Sequence, residues 1–282
     1  MTSRRDALAG LSLYTASRNR ALLAQRAAWW AVSAFGPHAL PGRSRELVLP
    51  FDEEASVELR SVLEREVGQF DSYAAHLRRP MARSGIALLL LHGGAPIGFV
   101  KLRQAPADAL TTEHAALVGL HNAPGLAFAA PEPIATGSVG TWHYLLMSAL
   151  PTGIHRPAAP VPVGTILSDL ASALQHTIPR PTPAASHWEP MHGDFTPWNL
   201  RDAGLDRPVL LDWEEVTWAP PHADALWYEA SCRNAGLKIT TKGASYTDEV
   251  RTFWIERLSR IVVPGEGTIQ SYTLNLLNEG AL

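Results

Sequence analysis

Two aspartates and an asparagine stand close together in the second half of this 282-residue chain. Asp194 and Asn199 lie in Met191-His192-Gly193-Asp194-Phe195-Thr196-Pro197-Trp198-Asn199-Leu200, and Asp212 ends the apolar run Val209-Leu210-Leu211 ahead of Trp213-Glu214. Taken singly, aspartates routinely cap helices or close turns. Jointly, placed in a loop and at the end of a short apolar run, these side chains can converge on one point. Phosphoryl transfer needs such a set: two oxygen ligands to hold Mg²⁺ against a triphosphate, and a separate carboxylate to accept the hydroxyl proton and aim the nucleophile.

The first half contributes a different chemical type. Basic charge is almost entirely arginine, and the only lysines are Lys101, Lys238 and Lys242. Lys101 sits alone in the first half, inside the apolar stretch Gly98-Phe99-Val100-Lys101-Leu102. Where arginine serves every generic surface role, a lone lysine points to a position that needs a compact ammonium.

His-Gly-Asp, then Asn, then an apolar run ending in Asp-Trp-Glu resembles the catalytic core of the aminoglycoside phosphotransferase and choline kinase superfamily, relatives of the protein kinases. On that resemblance Asp194 is the catalytic base, and Asn199 and Asp212 are Mg²⁺ ligands, with Asp212 the main one. His192 and Gly193 shape the loop, His192 as a backbone organiser and not a proton shuttle. Lys101 neutralises charge on the phosphates and is held by a carboxylate on the next helix. Glu113 is the only glutamate between Lys101 and Pro131 and fills that place. Trp142 to Leu150 resembles the last strand of the small lobe running into the hinge, so Met147, Ser148 and Ala149 line the base pocket. Asp224 matches a helix start that supports the catalytic loop from beneath. The resemblance implies ATP or GTP as co-substrate, Mg²⁺ as cofactor and a small-molecule hydroxyl as acceptor. It is firmest over Lys101 to Glu113 and His192 to Glu214, and it departs from the family where no Gly-x-Gly-x-x-Gly loop precedes Lys101. The phosphate-covering turn then falls on Arg78 to Gly85.

These residues need elements to position them. Residues 11 to 35 carry good helix formers with apolar positions recurring at three and four, stopped by Gly36, Pro37 and Pro41, which predicts one amphipathic helix. Glu54 to Val67 predicts a second, surface-lying helix. From Ser72 an extended segment, an apolar run Ile86 to Leu91, Gly93-Gly94 and Ile97 to Leu102 predict a small antiparallel sheet with a hairpin. A short helix over Thr112 to Leu120, a proline-marked loop, a strand Trp142 to Met147 and a helix Val163 to His176 follow, and helices dominate beyond His222. The expected architecture is α+β: a bilobal protein-kinase-like fold with a small antiparallel-sheet N-lobe, a mainly helical C-lobe and an N-terminal helical extension. The boundaries fall at 1–70 for the extension, 71–147 for the nucleotide-binding lobe and 148–282 for the catalytic lobe.

Composition narrows the classes. With 46% hydrophobic and 18% charged residues the chain can bury a sizeable core. A net charge of -3 supplies no electrostatic footprint for nucleic acid. No apolar stretch approaches the ~20 residues of a membrane span. The single cysteine, Cys232, cannot form an intrachain disulfide and fits a reducing compartment, so the expectation is a cytoplasmic enzyme without nucleic-acid or membrane partners, a homodimer being left open. Trp213, Trp218 and Trp227, with Glu214, Glu215 and Glu229 nearby, suit either a pocket for a cationic or sugar acceptor or ordinary core packing. The alternative to an active kinase is a catalytically weak, kinase-like nucleotide-binding or regulatory module.

Overall fold

The computed structural model describes residues 3–13, 16, 19–40, 51–77, 85–104, 107–182, 184–237, 246–261 and 268–282. They divide into two compact units, residues 1–114 with 131–156, and residues 115–130 with 157–282. The turn expected over Arg78 to Gly85 lies outside the described residues except for Gly85.

The first unit is built on a five-stranded antiparallel sheet of order β1-β2-β3-β5-β4. Its strands are β1 (Ser72–Leu77), β2 (Gly85–His92), β3 (Ala95–Gln104), β4 (Pro133–Val139) and β5 (Trp142–Met147). Gly93 and Gly94, at φ 57° and 78°, close the β2–β3 hairpin, as a tight turn requires. β4 escapes the sequence pattern because Pro133 opens it and the Pro-rich stretch before it reads as loop; an edge strand tolerates proline at its first residue.

Side chains alternate across a strand, so the sheet has two distinct faces. On one, Leu88, Leu90, Val100, Leu102, Tyr144 and Leu146 pack against Leu59 and Leu63 of helix α3 (Glu53–Val67). The helix lies on the surface as expected, burying only Leu59 and Leu63 while Val57 stays exposed. On the other face Leu89, Leu91 and Phe99 meet Ala9 of helix α1 (Arg4–Ser12), with Leu13, Ala74 and Ala149 packed around them. The single helix expected over 11 to 35 is in fact two. α1 starts at Ser3, whose hydroxyl accepts the Asp6 amide at 3.1 Å while the Asp6 carboxylate accepts the Ser3 amide at 2.9 Å, a reciprocal cap. It ends early because its exposed carbonyls find other donors: Gln25 Nε2 bonds Leu11 O at 2.9 Å. α2 (Asn19–Phe35) follows and packs on α1. Helix α4 (Asp108–His121) carries Glu113.

The second unit is mainly helical. Helices α5 (Val163–Leu174), α6 (Ala223–Ala235), α7 (Asp248–Ser259) and α8 (Ile269–Asn278) surround short strands. After the two-residue β6 (Arg156–Pro157) come β7 (Glu189–Met191), β8 (Leu200–Asp202), β9 (Val209–Leu210) and β10 (Thr217–Ala219). β10 pairs with β7 and β8 with β9, both antiparallel. The core joins Met191, Leu226, Trp227, Ala230, Trp254 and Leu258. No described helix is long and apolar enough to cross a membrane.

Candidate active site

In the first unit Lys101 occupies the middle of β3, opposite Ala87 of β2 and Leu145 of β5. Its Nζ donates to both Glu113 carboxylate oxygens at 2.8 Å, and the two side chains are only 8% and 1% exposed. A pair this buried holds its geometry because either charge alone would lack compensation. Met147, Ser148 and Ala149, expected to line a base, stand at the end of β5 and just beyond it. Met147 is buried opposite Phe99, and Ser148 spends its backbone N–H on Glu132 O and its hydroxyl on Glu132 N, both at 2.8 Å. Ala149 joins the apolar cluster on the α1 side of the sheet.

The second unit holds the loop from Met191 to Leu200. Its shape is set by backbone donors converging on one buried carboxylate: the amides of His192 and Gly193 donate to Asp224 Oδ2 and Oδ1 at 2.6 and 3.1 Å. Asp224 lies in the first turn of α6, where the helix N-terminus also favours negative charge. Burial nevertheless pushes its carboxyl up to about 7, against the pull of the two amides and of Arg257. Gly193 adopts φ +83°, and a Cβ there would stand 2.1 Å from Glu215 O. Only glycine fits both the backbone and the space.

His192 is fully buried. Its Nδ1 accepts the Asp194 amide at 3.1 Å and its Nε2 donates to Leu211 O at 2.9 Å. One nitrogen accepting and the other donating fixes the neutral Nε2–H tautomer. Both ring nitrogens are thereby committed to the backbone, tying the Met191–Leu200 loop to the residue before Asp212.

The Asp194 carboxylate takes Trp227 Nε1 on Oδ1 at 3.0 Å and Asn199 Nδ2 on Oδ2 at 2.9 Å. Burial, aided by repulsion from Asp212, pushes it up to about 7 despite these donors, a value suited to accepting a hydroxyl proton near neutrality. Asn199 Nδ2 also reaches Asp194 O at 3.0 Å. Two oxygens at the amide nitrogen assign its orientation and leave Oδ1 as the acceptor atom. Leu211 N donates to Asn199 O at 2.9 Å, and Leu200 pairs with Leu210, so the β8–β9 hairpin brings Asn199 and Asp212 together. Asp212 itself has left-handed backbone, φ 67° and ψ 63°, a conformation aspartate tolerates better than most residues.

Comparison with known proteins adds a test of the fold. No protein-family model matches this sequence, and no curated protein does. Solved structures do match. A thermostable mutant of aminoglycoside phosphotransferase APH(4)-Ia, in its apo form, superimposes with a TM-score of 0.53 at 13% identity, over 79% of this chain and 99% of that one. A mutant aminoglycoside 2'-phosphotransferase in complex with GDP gives 0.51 at 12%, over 81% and 97%. A candidate fructosamine-3-kinase from Haemophilus somnus gives 0.50 at 11%, over 78% and 96%. The chain has the aminoglycoside phosphotransferase fold.

Within that fold, the structure joins Lys101 to Glu113, and Asp194 to Asn199 beside Asp212. It also adds residues that sequence reasoning missed or misjudged. Trp213, Trp218 and Trp227 are buried, and each indole N–H is taken, by Leu210 O, Ile178 O and Asp194 Oδ1. They are core, and the aromatic-pocket reading gives way, but Trp227 also grips the proposed base. Arg201, one residue beyond Leu200, donates to Trp198 O at 3.1 Å. Burial lowers its guanidinium to about 10 while the charge of Asp212 pulls the other way, making the two a pair of opposite charges. Its place on β8, immediately after the loop, was the available signal.

Proposed function

We propose that this protein is a Mg²⁺-dependent phosphotransferase that moves the γ-phosphoryl of ATP or GTP onto a hydroxyl of a small molecule such as an aminoglycoside, an amino alcohol or a sugar-like acceptor. The observation that carries the proposal is Asn199, whose amide nitrogen fastens Asp194 while its backbone carbonyl fastens the strand leading to Asp212. That wiring makes a base and two oxygen ligands into one rigid group. The donor set fits the hard cation: one carboxylate and one amide oxygen, with room left for phosphate oxygens and water. When bound, Mg²⁺ would be held by Asn199 and Asp212 and would neutralise charge on the triphosphate.

Asp194 would accept the acceptor hydroxyl's proton on a carboxylate already oriented by Trp227 and Asn199. Lys101, kept in place by Glu113, would neutralise charge developing on the phosphates. Ser148 gives its N–H to Glu132 O and accepts Glu132 N on its hydroxyl oxygen, so its hydroxyl proton, its carbonyl and the Ala149 backbone are groups left to contact a base. Catalysis of this kind is positioning and electrostatics more than bond-making by the protein. Because one fold neighbour was solved with GDP, GTP stands beside ATP as a donor to be tried.

The test is a transfer screen with Mg²⁺, each nucleotide, and aminoglycosides, amino alcohols, nucleosides and free sugars, read by mass spectrometry. A gain of one phosphoryl group by an acceptor, absent with Asp194→Ala, supports the proposal. Absence of both transfer and acceptor-independent nucleotide hydrolysis would leave the second reading, a catalytically weak nucleotide-binding or regulatory module. The packing of α1 on the Lys101 side of the sheet favours that reading.

A further inference from the structure

Strand alternation places Phe99 on the same face of the sheet as Lys101, two residues on. The cross-strand partners of these two residues, Leu89 and Ala87 on β2 and Met147 and Leu145 on β5, share that face. Beside Lys101 the face is a dry apolar patch of Leu89, Leu91, Phe99 and Ala149. If Lys101 receives phosphates and Ala149 lines the base site, this patch is what a purine ring would stack on. A purine offers two flat, apolar faces, and Phe99 offers an aromatic surface to meet one.

Most of the patch is already covered, Leu89 and Leu91 being buried and Phe99 and Ala149 half-buried. Ala9 of α1 is fully buried against it, Leu13 packs alongside, and Leu91 beneath has no exposure. A helix and a base cannot occupy the same surface. We propose that α1 is an internal occupant of the base-binding face and that nucleotide binding requires α1 to leave it, making the N-terminal helix an autoinhibitory element. The inference rests on the phosphotransferase reading of Lys101.

The way α1 is attached fits displacement. Its buried residues are Ala7, Ala9 and Ser12, all small, whereas α3 anchors the opposite face through Leu59 and Leu63. Small side chains bury little apolar area, so they hold a helix weakly. Among the described residues, Leu13 and Arg5 add packing against the cluster and over Gly94, and the buried Gln25 bonds Leu11 O; the ties at the surface are the Ser3–Asp6 cap and Ser72 Oγ on Asp6 Oδ1 at 3.2 Å. Water can replace each of these surface ties. A binding-competent state that is only a fraction of the population weakens apparent affinity by that fraction.

The experiment titrates a fluorescent N-methylanthraniloyl ATP with Mg²⁺ into the full chain and into full-length Ala9→Glu, whose buried carboxylate unseats α1. Ala9→Glu should bind about tenfold or more tightly, and Asp6→Ala, which removes the carboxylate half of the cap and the Ser72 bond, about threefold more tightly. Leu23→Glu, at an exposed α2 position, should match the wild type. Magnesium tripolyphosphate has no base and should bind wild type and Ala9→Glu equally. In the wild type, Mg·ATP should accelerate hydrogen exchange of the α1 amides. Equal ATP affinities in wild type and variants, with tripolyphosphate bound by all, would overturn the autoinhibition and leave the phosphotransferase reading standing. Binding of neither ligand by any form would overturn that reading and this inference with it. If Ala9→Glu does not fold, Asp6→Ala decides: an unchanged affinity and unchanged α1 exchange end the proposal.

Discussion

The lysine site of the first unit and the aspartate loop of the second hold charge in apolar surroundings by opposite means. Lys101 and Glu113 come from a strand and a helix and answer one another directly, charge to charge. In the loop, Asp194 and Asp224 are held by neutral donors: two backbone amides, an indole and a carboxamide. A charge pair is robust to small shifts of backbone and fails when one partner is removed. A donor network tolerates the loss of one donor but depends on every backbone angle that aims the others. The first site therefore tests the energetics of charge, and the second tests geometry.

The largest effect should come from the loop. Asp194→Ala removes the proposed base and should lower kcat by about 10³–10⁴, with Mg·nucleotide affinity nearly intact by calorimetry. Unchanged turnover would remove the base assignment. The lysine site should respond differently. Lys101→Met strands a buried carboxylate and should cost about 3–5 kcal/mol in denaturant unfolding. Lys101→Met combined with Glu113→Leu should recover most of that stability, because two apolar side chains of similar size need no compensation, yet transfer should stay abolished. If the double variant regained activity, the pair would be structural only.

Geometry decides the next case. Gly193→Ala leaves every charge in place but puts a Cβ against Glu215 O on a left-handed backbone. It should destabilise the fold by about 3 kcal/mol and lower kcat, because His192 and Asp194 flank it. A variant with normal stability would show that the loop can re-aim itself, and the contrast with the lysine site would fall.

How legible these sites were follows from the same contrast. Lys101, Glu113, Asp194, Asn199 and Asp212 could be named because their chemical types are rare at those spacings, and a lone lysine among arginines is visible without coordinates. The sheet was readable from the apolar runs of β2, β3 and β5 and the Gly93-Gly94 turn, while β4 hid behind Pro131 and Pro133. α1 hid because the helix pattern was read only from residue 11 onward, although Ser3 and Asp6 stand at the spacing of a helix cap. Trp227 could not be separated from core tryptophans, since a buried indole and a hydrogen-bonding indole look alike until the acceptor is located. Arg201 was one basic residue among many. A long-range donor such as Trp227 leaves no periodic mark on the sequence.

The pH dependence of stability probes the loop's carboxylates without any substrate. Asp224 has a folded-state value near 7, above its ordinary 3.8. A raised carboxyl contributes stability that is complete below about 3.8 and is lost as pH rises through 7. Between pH 6 and 8 the loss should be about 1.4 kcal/mol for this group, and Asp194 acts in the same direction. In an Asp194→Asn background only the Asp224 share should remain. Urea unfolding that shows stability constant or rising from pH 6 to 8 in that background would mean the two amides and the helix end outweigh burial.

The smallest expected effect is the sharpest test of donor wiring. Trp227 stacks on Trp254 with ring centroids 4.6 Å apart and gives its N–H to Asp194. Trp227→Phe keeps an aromatic ring for the stack and deletes only the donor, so the two roles separate. Since that hydrogen bond pulls the Asp194 titration down, its loss should move the acid limb of the kcat profile upward. It should also cut kcat about tenfold, the equivalent of one ordinary hydrogen bond at about 1.4 kcal/mol. Thermal stability should change far less than in Trp254→Phe, where the indole N–H bonds Ala223 O at the start of α6. A Trp227→Phe enzyme with an unmoved pH profile would show that Asn199 alone aims Asp194, reducing the indole to core packing.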